Sequence, residues 1–249
     1  MRALILAAGE GRRLGTLTDR TPKPMLEVAG RPILEHNVRL LVRHGVREIA
    51  INTHHRADAI VAHFDDARVA ALGARIRFSH EAELRGTAGA LVPLIDFFSE
   101  TFLILFGDNL STCDLTLLVQ AHRASGAVAT VALHEREDPS SSGVAVLAQD
   151  GTITTFIEKP RPGETSSTWV NAGIIVAEPA ALASVPRERP SDIGRDLLPA
   201  LVRGERRVFG YRMSERLWWI DTPEDYERTR LECAAPSLDP SPKGPPING

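Results

Sequence analysis

The chain has 249 residues, of which 43% are hydrophobic and 24% charged, and its formal net charge is −3. This length accommodates one α/β domain with a sizeable core, whereas the slightly acidic balance argues against a large nucleic-acid surface. No apolar run is long enough to span a membrane, and the two cysteines, Cys113 and Cys233, lack the spacing of metal ligands. Because a strand begins directly after Met1 and leaves no room for a signal peptide, we expect a cytoplasmic protein.

The first predicted element is a buried strand over residues 3–8, a short run of apolar side chains. It ends in a loop that contains Gly9 and Gly11, and Arg13 and Lys23 follow, the lysine between two prolines. Glycine has no Cβ, so the backbone N–H groups of such a loop can approach an anion closely. The two basic side chains supply the positive charge that a polyphosphate requires. On the loop alone, a tight β–α turn with solvated basic side chains is an equal alternative.

Strands and helices then alternate along the chain. We predict helix 33–42, ended by Gly45, then strand 48–52, helix 57–64 and strand 76–78. This βαβ pattern is typical of a parallel sheet with helices on both faces.

Gly86 and Thr87 stand directly before a predicted Ala/Leu-rich helix. Unsatisfied N–H groups and the helix dipole favour a polar ligand at such a position. N-capping by the Thr87 side chain is the structural alternative.

An acidic residue follows the most apolar strand of the chain, predicted over residues 102–106. Open α/β sheets bind ligands at the carboxyl ends of their strands, where Asp108 is well placed to hold a hard divalent cation against phosphates. An aspartate that only caps the following loop is the alternative. Leu110 stands where an Asp-x-Asp motif would need its second aspartate, which disfavours a metal-dependent glycosyltransferase.

The second half of the chain continues with a helix at 115–124, strands at 128–133, 143–147, 153–157 and 169–176, and a helix at 192–202. Within the last of these strands, Asn171 carries both a donor and an acceptor for sugar hydroxyls, and Gly173 leaves space for a ring. Thr222-Pro223 opens a final helix, so the preceding Asp221 is either a metal ligand or an N-cap. The Pro/Ser/Gly-rich residues 236–249 are predicted to be disordered.

Several of these motifs together resemble one family. Residues 6–14 read Leu-Ala-Ala-Gly-x-Gly-x-Arg-Leu, and Pro-Lys-Pro follows at residues 22–24; further motifs are Gly-Thr-Ala-Gly at 86–89, Gly-Asp at 107–108, Glu-Lys-Pro at 158–160, Asn-Ala-Gly at 171–173 and Trp-x-Asp at 219–221. The chain thereby resembles the sugar-1-phosphate nucleotidylyltransferases, or nucleotide-sugar pyrophosphorylases, most closely the mannose/heptose-1-phosphate guanylyltransferase branch. The resemblance extends from residue 2 to about residue 231.

This resemblance implies an α/β, Rossmann-like nucleotidyltransferase fold, with a mixed, mostly parallel sheet flanked by helices and a smaller sugar-binding subdomain. One domain would cover residues 1–235, with a nucleotide-binding half at about 1–112 and a sugar-binding half at about 113–235. It implies catalytic roles for Arg13, Lys23 and Asp108, nucleotide-binding roles for Leu6, Ala8, Gly9, Gly11, Glu81, Gly86 and Thr87, sugar-phosphate-binding roles for Asn109, Glu158, Lys159, Asn171 and Gly173, and a Mg²⁺ site at Asp108 and Asp221.

The implied reaction joins a nucleoside triphosphate (NTP) and a sugar 1-phosphate to give an NDP-sugar and pyrophosphate. GTP is favoured, because Glu81 can accept paired hydrogen bonds from N1–H and the exocyclic amine of guanine. Leu84 and Arg85 replace the Pro-Leu usual in the family, so CTP, UTP, TTP and ATP stay open. A non-catalytic regulatory homologue that binds nucleotide sugars is a further alternative. We expect no nucleic-acid or membrane partner; a homodimer is compatible with the sequence.

Overall fold

The structure is a computed structural model that describes residues 1–233 together with Leu238 and Ile247. It divides into two compact units, each assembled from separate stretches of the chain. The first unit comprises Met1–Leu84, Leu105–Thr116 and the described residues from Glu215 on, and the second comprises Arg85–Ile104 and Leu117–Ser214. The predicted division into nucleotide-binding and sugar-binding halves stays a prediction. The predicted tail, 236–249, lies outside the described residues apart from Leu238 and Ile247.

The described residues form the following strands and helices. The strands are β1 Arg2–Leu6, β2 Glu27–Val28, β3 Arg31–Pro32, β4 Glu48–Thr53, β5 Arg75–His80, β6 Phe102–Phe106, β7 Asn109–Ser111, β8 Ala129–Glu135, β9 Gly143–Leu147, β10 Ile153–Glu158, β11 Trp169–Ala177, β12 Val208–Arg212 and β13 Leu217–Trp219. The α-helices are α1 Ile33–Arg43, α2 Ala57–His63, α3 Asp66–Leu72, α4 Gly86–Gly89, α5 Leu115–Ser125, α6 Leu198–Arg203 and α7 Pro223–Glu232.

The first unit contains a parallel run of strands. β1 pairs with β4, with Leu4 opposite Ala50, and β4 pairs with β5, with Ile51 opposite Phe78. The central side chains of β1 and β4 are buried, as expected for strands covered on both faces. Because the three strands are parallel, their carboxyl ends lie along one edge of the sheet, where α/β folds bind ligands.

The end of β6 is held beside the end of β1. Gly107, which follows β6, donates its N–H to the Leu6 carbonyl at 2.9 Å. A Cβ on Gly107 would lie only 2.8 Å from that carbonyl oxygen, so only glycine permits this approach. Asp108 is thereby placed at the same edge as the residues that follow β1.

The second unit is built mainly from antiparallel strands. β11 pairs antiparallel with β8 and β9, and β9 pairs antiparallel with β10, whereas β12 runs parallel to β8. The predicted mixed sheet flanked by helices is therefore confirmed, with its parallel run in the first unit.

Two predicted helices differ from the structure. The helix expected after Gly86 is the single turn α4, and a 3₁₀ segment, Val92–Phe97, follows it. The helix expected at 192–202 is divided into a π-helical segment, Ile193–Leu197, and α6. In both cases a proline near the break, Pro93 or Pro199, has no N–H for the helical ladder. Helix α3 and strand β12 are among the elements that the sequence did not predict.

Candidate functional site

A buried lysine lies between two aspartates in the first unit. The Nζ atom of Lys23 is 2.7 Å from Oδ2 of Asp108 and 3.4 Å from Oδ1 of Asp221. The lysine side chain is 6% exposed, whereas those of Asp108 and Asp221 are 35% and 21% exposed. The ammonium is therefore removed from water and is compensated by two carboxylates that still reach solvent. We refer to these three residues as the lysine–aspartate cluster.

Local backbone chemistry places Lys23 in this cluster. Pro22 and Pro24 flank it, and a 3₁₀ turn, Lys23–Met25, begins at the lysine. Gly11 packs against it with φ at 67°, and a Cβ on Gly11 would lie 2.9 Å from the Lys23 Cβ. A larger residue at position 11 would suffer both backbone strain and this contact, so the glycine that follows β1 helps to position the lysine.

Asp221 is not the N-cap of helix α7. Thr222 is the N-cap: its side chain accepts the Asp225 N–H at 3.2 Å, and the Asp225 carboxylate accepts the Thr222 N–H at 3.1 Å. Because Thr222 and Asp225 form this capping box, the Asp221 carboxylate is not used as a cap and instead pairs with Arg13 and Lys23. The structural alternative for Asp221 is thus wrong. Its metal role stays a prediction.

Arg13 is the second basic residue that the sequence places after the glycine loop, and it also contacts Asp221. Its Nη2 atom is 2.8 Å from Oδ1 of Asp221, and its side chain is 61% exposed. The structure therefore brings together Arg13 and Lys23, which are close in the sequence, with Asp108 and Asp221, which are far from them along the chain.

The loop after β1 leaves open space at Gly9, since a Cβ there would meet nothing within 4 Å. Ala8, the neighbouring residue, is buried, and the Leu6 carbonyl accepts the N–H of Gly107. The nucleotide-binding roles of Leu6, Ala8, Gly9 and Gly11 stay predictions.

Glu81 is buried at the carboxyl end of β5 and is bonded to a residue that the sequence analysis missed. Asn52 donates from Nδ2 to Oε1 of Glu81 at 2.8 Å, and the Ala7 N–H donates to Oδ1 of Asn52 at 2.7 Å. Glu81 and Asn52 are 2% and 3% exposed. The available signal was position, because Asn52 lies at the end of a parallel strand, as Ala7 and Glu81 do.

The N–H groups that we expected to be unsatisfied at the start of α4 are hydrogen-bonded in the structure. The N–H groups of Ala88 and Gly89 donate to the Ser191 carbonyl at 2.9 and 3.0 Å. The Thr87 hydroxyl accepts the N–H of Ile193 at 2.8 Å. It therefore satisfies the first N–H of the π-helical segment Ile193–Leu197 and does not cap α4. The argument from free amides is therefore wrong for Ala88 and Gly89. The binding roles of Gly86 and Thr87 stay predictions.

Glu158 ends strand β10 in the second unit, where its carboxylate lies against two glycines. A Cβ on Gly143 would lie 2.7 Å from its Oε2 atom, and one on Gly194 only 2.2 Å away. Within the described part of the chain, no donor is hydrogen-bonded to this carboxylate. Burial raises the pKa of the Glu158 carboxyl, Lys159 and Arg195 lower it, and Asp192 raises it. A carboxylate half-buried without a donor is suited to accepting hydroxyl groups of a ligand.

Two further second-unit residues occupy unusual backbone conformations. Lys159 has φ at 54°, a conformation that costs a non-glycine residue free energy and often marks a functional position. In β11 the register against β8 shifts between Asn171 and Ile175, and Oδ1 of Asn171 accepts the Gly173 N–H at 2.9 Å. Gly173 itself has φ at 75°, so the Asn-Ala-Gly motif forms a bulge that a larger residue would strain.

Asn109 belongs to a different unit from the other predicted sugar-phosphate residues. It begins β7 in the first unit, and its carbonyl accepts from Nδ2 of Asn37 at 3.2 Å. Glu158, Lys159, Asn171 and Gly173 belong to the second unit. All five roles stay predictions.

The desolvation of Glu158 gives a stability prediction. Because its pKa is raised on folding, the folded state binds more protons than the unfolded state, and this group lowers stability as pH rises through the raised pKa. Glu158→Gln should therefore melt at a higher temperature than the wild type at pH 7. This advantage should shrink as pH falls below the unperturbed value of 4.5, measured by calorimetry at several pH values.

The control for this comparison is Glu137→Gln, at an exposed position of the same unit. It should leave the melting temperature unchanged at both pH values. A Glu158→Gln variant that melts below the wild type at pH 7 would contradict the prediction.

The lysine–aspartate cluster fits a hard divalent cation. Two carboxylates, Asp108 and Asp221, converge on one cationic group, and Mg²⁺ is typically held by one or two carboxylates together with substrate phosphates and waters. Among the described residues there is no group of three or more His, Cys, Asp or Glu side chains that could hold a metal ion by themselves. Any metal here would depend on ligands that the substrate supplies.

A parallel sheet with a glycine loop after its first strand, together with a buried lysine between paired aspartates, defines an α/β protein of the kind that places ligands at the carboxyl ends of its strands. The chain belongs to the nucleotidyl transferase family, whose sequence model matches residues 2–228. The family predicted from the motifs is thus confirmed.

Two curated relatives differ in the nucleotide that they use. The chain is 36% identical over 235 residues to a UTP–glucose-1-phosphate uridylyltransferase of Synechocystis, with 89% of this chain and 60% of that protein covered. It is also 36% identical over 232 residues to the mannose-1-phosphate guanylyltransferase catalytic subunit beta of Drosophila pseudoobscura, with 90% and 60% covered. The chain thus spans about 60% of the length of these relatives.

The fold is shared with a solved structure of HddC from Yersinia pseudotuberculosis complexed with GMP-PN. The TM-score is 0.77 at 22% identity, with 93% of this chain and 98% of that chain covered. In the part of the chain that the structure describes, the helices are too short or too polar to cross a membrane.

Proposed function

We propose that this protein transfers a nucleotidyl group from an NTP, with GTP favoured, to a sugar 1-phosphate and releases pyrophosphate. The observation that carries the proposal is the lysine–aspartate cluster, in which a buried ammonium lies within 3.4 Å of two carboxylates. Two family relatives, named as uridylyl- and guanylyltransferases of sugar 1-phosphates, support the same reaction class.

The chemistry needs no general base. The phosphate of a sugar 1-phosphate is anionic at neutral pH, and one of its oxygens attacks the α-phosphorus in line. A new P–O bond forms, the bond between the α-phosphorus and the bridging oxygen breaks, and its electron pair leaves with pyrophosphate. The protein therefore has to position two anions and stabilise the charge that develops between them.

The first-unit residues take roles that follow from their charges. Lys23 neutralises charge that develops at the α-phosphate, and Arg13 with the amides of the Gly9–Gly11 loop holds the β- and γ-phosphates. Asp108 and Asp221 would hold Mg²⁺. When bound, that ion supplies charge neutralisation and alignment of the phosphate oxygens.

The second-unit residues bind the sugar phosphate in this proposal. The Glu158 carboxylate accepts sugar hydroxyls, because burial without an internal donor leaves it available as an acceptor. Asn171 offers its amide donors, since Oδ1 is bonded to Gly173, and Lys159 pairs with the sugar phosphate. Gly86 and Thr87 bind the nucleoside, and Asn109 of the first unit also binds the sugar phosphate.

The preference for GTP rests on Glu81. A buried carboxylate matches the two adjacent donors of guanine, N1–H and the exocyclic amine. UTP is the main alternative, because a uridylyltransferase and a guanylyltransferase relative are equally similar to this chain. We also propose a cytoplasmic location. Both described cysteines are free thiols, as a reducing compartment allows.

The test is pyrophosphate release by the purified protein with Mg²⁺, using GTP, UTP, TTP, CTP and ATP each against a panel of hexose, heptose and amino-sugar 1-phosphates. We expect one pairing to dominate, strongest with GTP. Release without a sugar phosphate would indicate hydrolysis, and no release at all would contradict the transferase. Retained binding of a nucleotide sugar in that last case would favour a regulatory homologue.

A further inference from the structure

A chain of two hydrogen bonds connects the strand that leads into the glycine loop with the buried carboxylate at the end of β5. The Ala7 N–H donates to Oδ1 of Asn52, and Nδ2 of Asn52 donates to Oε1 of Glu81. Both side chains are almost fully buried. Asn52 has no role in the family motifs given above, and none of the hydrogen bonds described joins it to the lysine–aspartate cluster.

The backbone of Ala7 determines which way the Asn52 amide points. A backbone N–H can only donate, so the Asn52 oxygen must face Ala7. The amide nitrogen must then face Glu81, and it can only donate. Oε1 of Glu81 is therefore held as an acceptor by a partner that cannot rotate without losing both bonds.

The orientation of this carboxylate matters for the choice of nucleobase. Guanine, uracil and thymine carry a ring N–H on their Watson–Crick edge, whereas adenine and cytosine carry an unprotonated ring nitrogen there. A carboxylate oxygen that accepts can take the ring N–H of guanine, uracil or thymine. It repels the lone pair on the unprotonated ring nitrogen of adenine or cytosine. In a buried site a mismatch of this kind is costly, because water cannot replace the missing partner.

We propose that Asn52 is a positioning residue for nucleobase selection, which acts by holding Glu81 as a hydrogen-bond acceptor. The protein thereby uses nucleotides with a ring N–H, namely GTP, UTP or TTP, and rejects ATP and CTP. This inference rests on the proposed function only in assigning the base to Glu81.

The first test is Asn52→Asp, which keeps the size of the side chain and the acceptor for Ala7 but replaces the donor to Glu81 by a second carboxylate oxygen. Carboxylates this close repel or share a proton. We expect kcat/KM for the preferred nucleotide to fall at least about 30-fold, mainly through KM, because binding and not chemistry is affected. The preference for that nucleotide over ATP and CTP should fall about 10-fold or more.

The second test exchanges the two groups, combining Asn52→Asp with Glu81→Gln. The amide introduced at position 81 can then donate to the carboxylate introduced at position 52, so the internal bond is restored and the melting temperature should return toward the wild-type value. The amide oxygen at position 81 then faces away from position 52 and accepts, as the second oxygen of Glu81 does, so the preference for a ring N–H should recover together with stability. A merely structural role for Asn52 predicts that Asn52→Asp loses stability but keeps its nucleotide preference.

Two outcomes would overturn the inference. One is an Asn52→Asp variant that loses activity with all five nucleotides by the same factor, and the other is an exchange variant that regains the wild-type melting temperature but not the wild-type preference. Titration calorimetry with GTP, UTP, TTP, ATP and CTP measures the same preference without turnover. Selective binding of one base by the wild type that Asn52→Asp relaxes, with no pyrophosphate released, would therefore contradict the proposed reaction and leave the Asn52 inference supported.

Discussion

Replacing Lys23 by alanine is expected to lower kcat about 10³-fold while the dissociation constant of the nucleotide changes only a few-fold. The reason is the environment of its ammonium group, which is almost fully buried and is compensated by Asp108 and Asp221. Charge stabilisation from a desolvated, preoriented cation is much stronger than from a solvated one. Because charge builds up at the α-phosphate during the transfer, the loss should be concentrated in the transition state.

The measurement is steady-state pyrophosphate release, together with nucleotide binding by titration calorimetry. Arg20→Ala, an exposed arginine close to Lys23 in sequence, is the matched control and should retain activity. Lys23→Arg keeps the positive charge and shows whether the fold survives. Equal losses in kcat and in nucleotide affinity for Lys23→Ala would mean that the lysine contributes uniform binding.

Gly86→Ala should lower the free energy of unfolding by roughly 3 kcal/mol, which for a protein of this size lowers the melting temperature by about 6–12 °C. Gly86 has φ at 75°, and its missing Cβ would lie 2.4 Å from the Ser191 carbonyl oxygen. The same oxygen accepts the N–H groups of Ala88 and Gly89. The backbone therefore cannot move away from the new methyl group without breaking these bonds.

Gly163→Ala is the control for this prediction. Gly163 also has a positive φ, 80°, but a Cβ there would meet nothing within 4 Å. It reports the cost of the backbone conformation alone, about 1 kcal/mol. If both variants lost the same stability in chemical denaturation, the contact with Ser191 would contribute nothing.

The sequence was most informative where a motif is contiguous and lies at a strand end. Gly9, Gly11 and Asp108 follow apolar runs, so their position after buried strands could be predicted from the pattern alone. Family resemblance added Asp221, which pattern alone could not separate from an N-cap. The capping box of Thr222 and Asp225 shows why: the helix is capped by the residue directly after the aspartate, and both are residue types that favour the N-cap.

The contacts that were missed depend on pairs far apart in the chain. Asn52 is 29 residues from Glu81 and 45 from Ala7. Ser191 is about a hundred residues from α4, and it occupies amides that the sequence indicated as free. Neither contact has a local signature, because a single asparagine is compatible with many partners and Ser191 accepts through its backbone carbonyl, a group that every residue has. Such pairings follow from the tertiary fold and not from propensity.

The members of the lysine–aspartate cluster are far apart along the chain, which determines when the cluster can form during synthesis of the protein. Lys23 meets Asp108 across 85 residues and Asp221 across 198 residues, and the first unit takes residues from three stretches of the chain. On the ribosome, the amino-terminal strands emerge long before the second carboxylate exists. Until the segment from Glu215 is released, only one of the two carboxylates that pair with Lys23 is present in the chain. The charge pairing of the cluster therefore cannot be complete before that segment emerges, and nascent chains stalled earlier should carry an incompletely neutralised lysine.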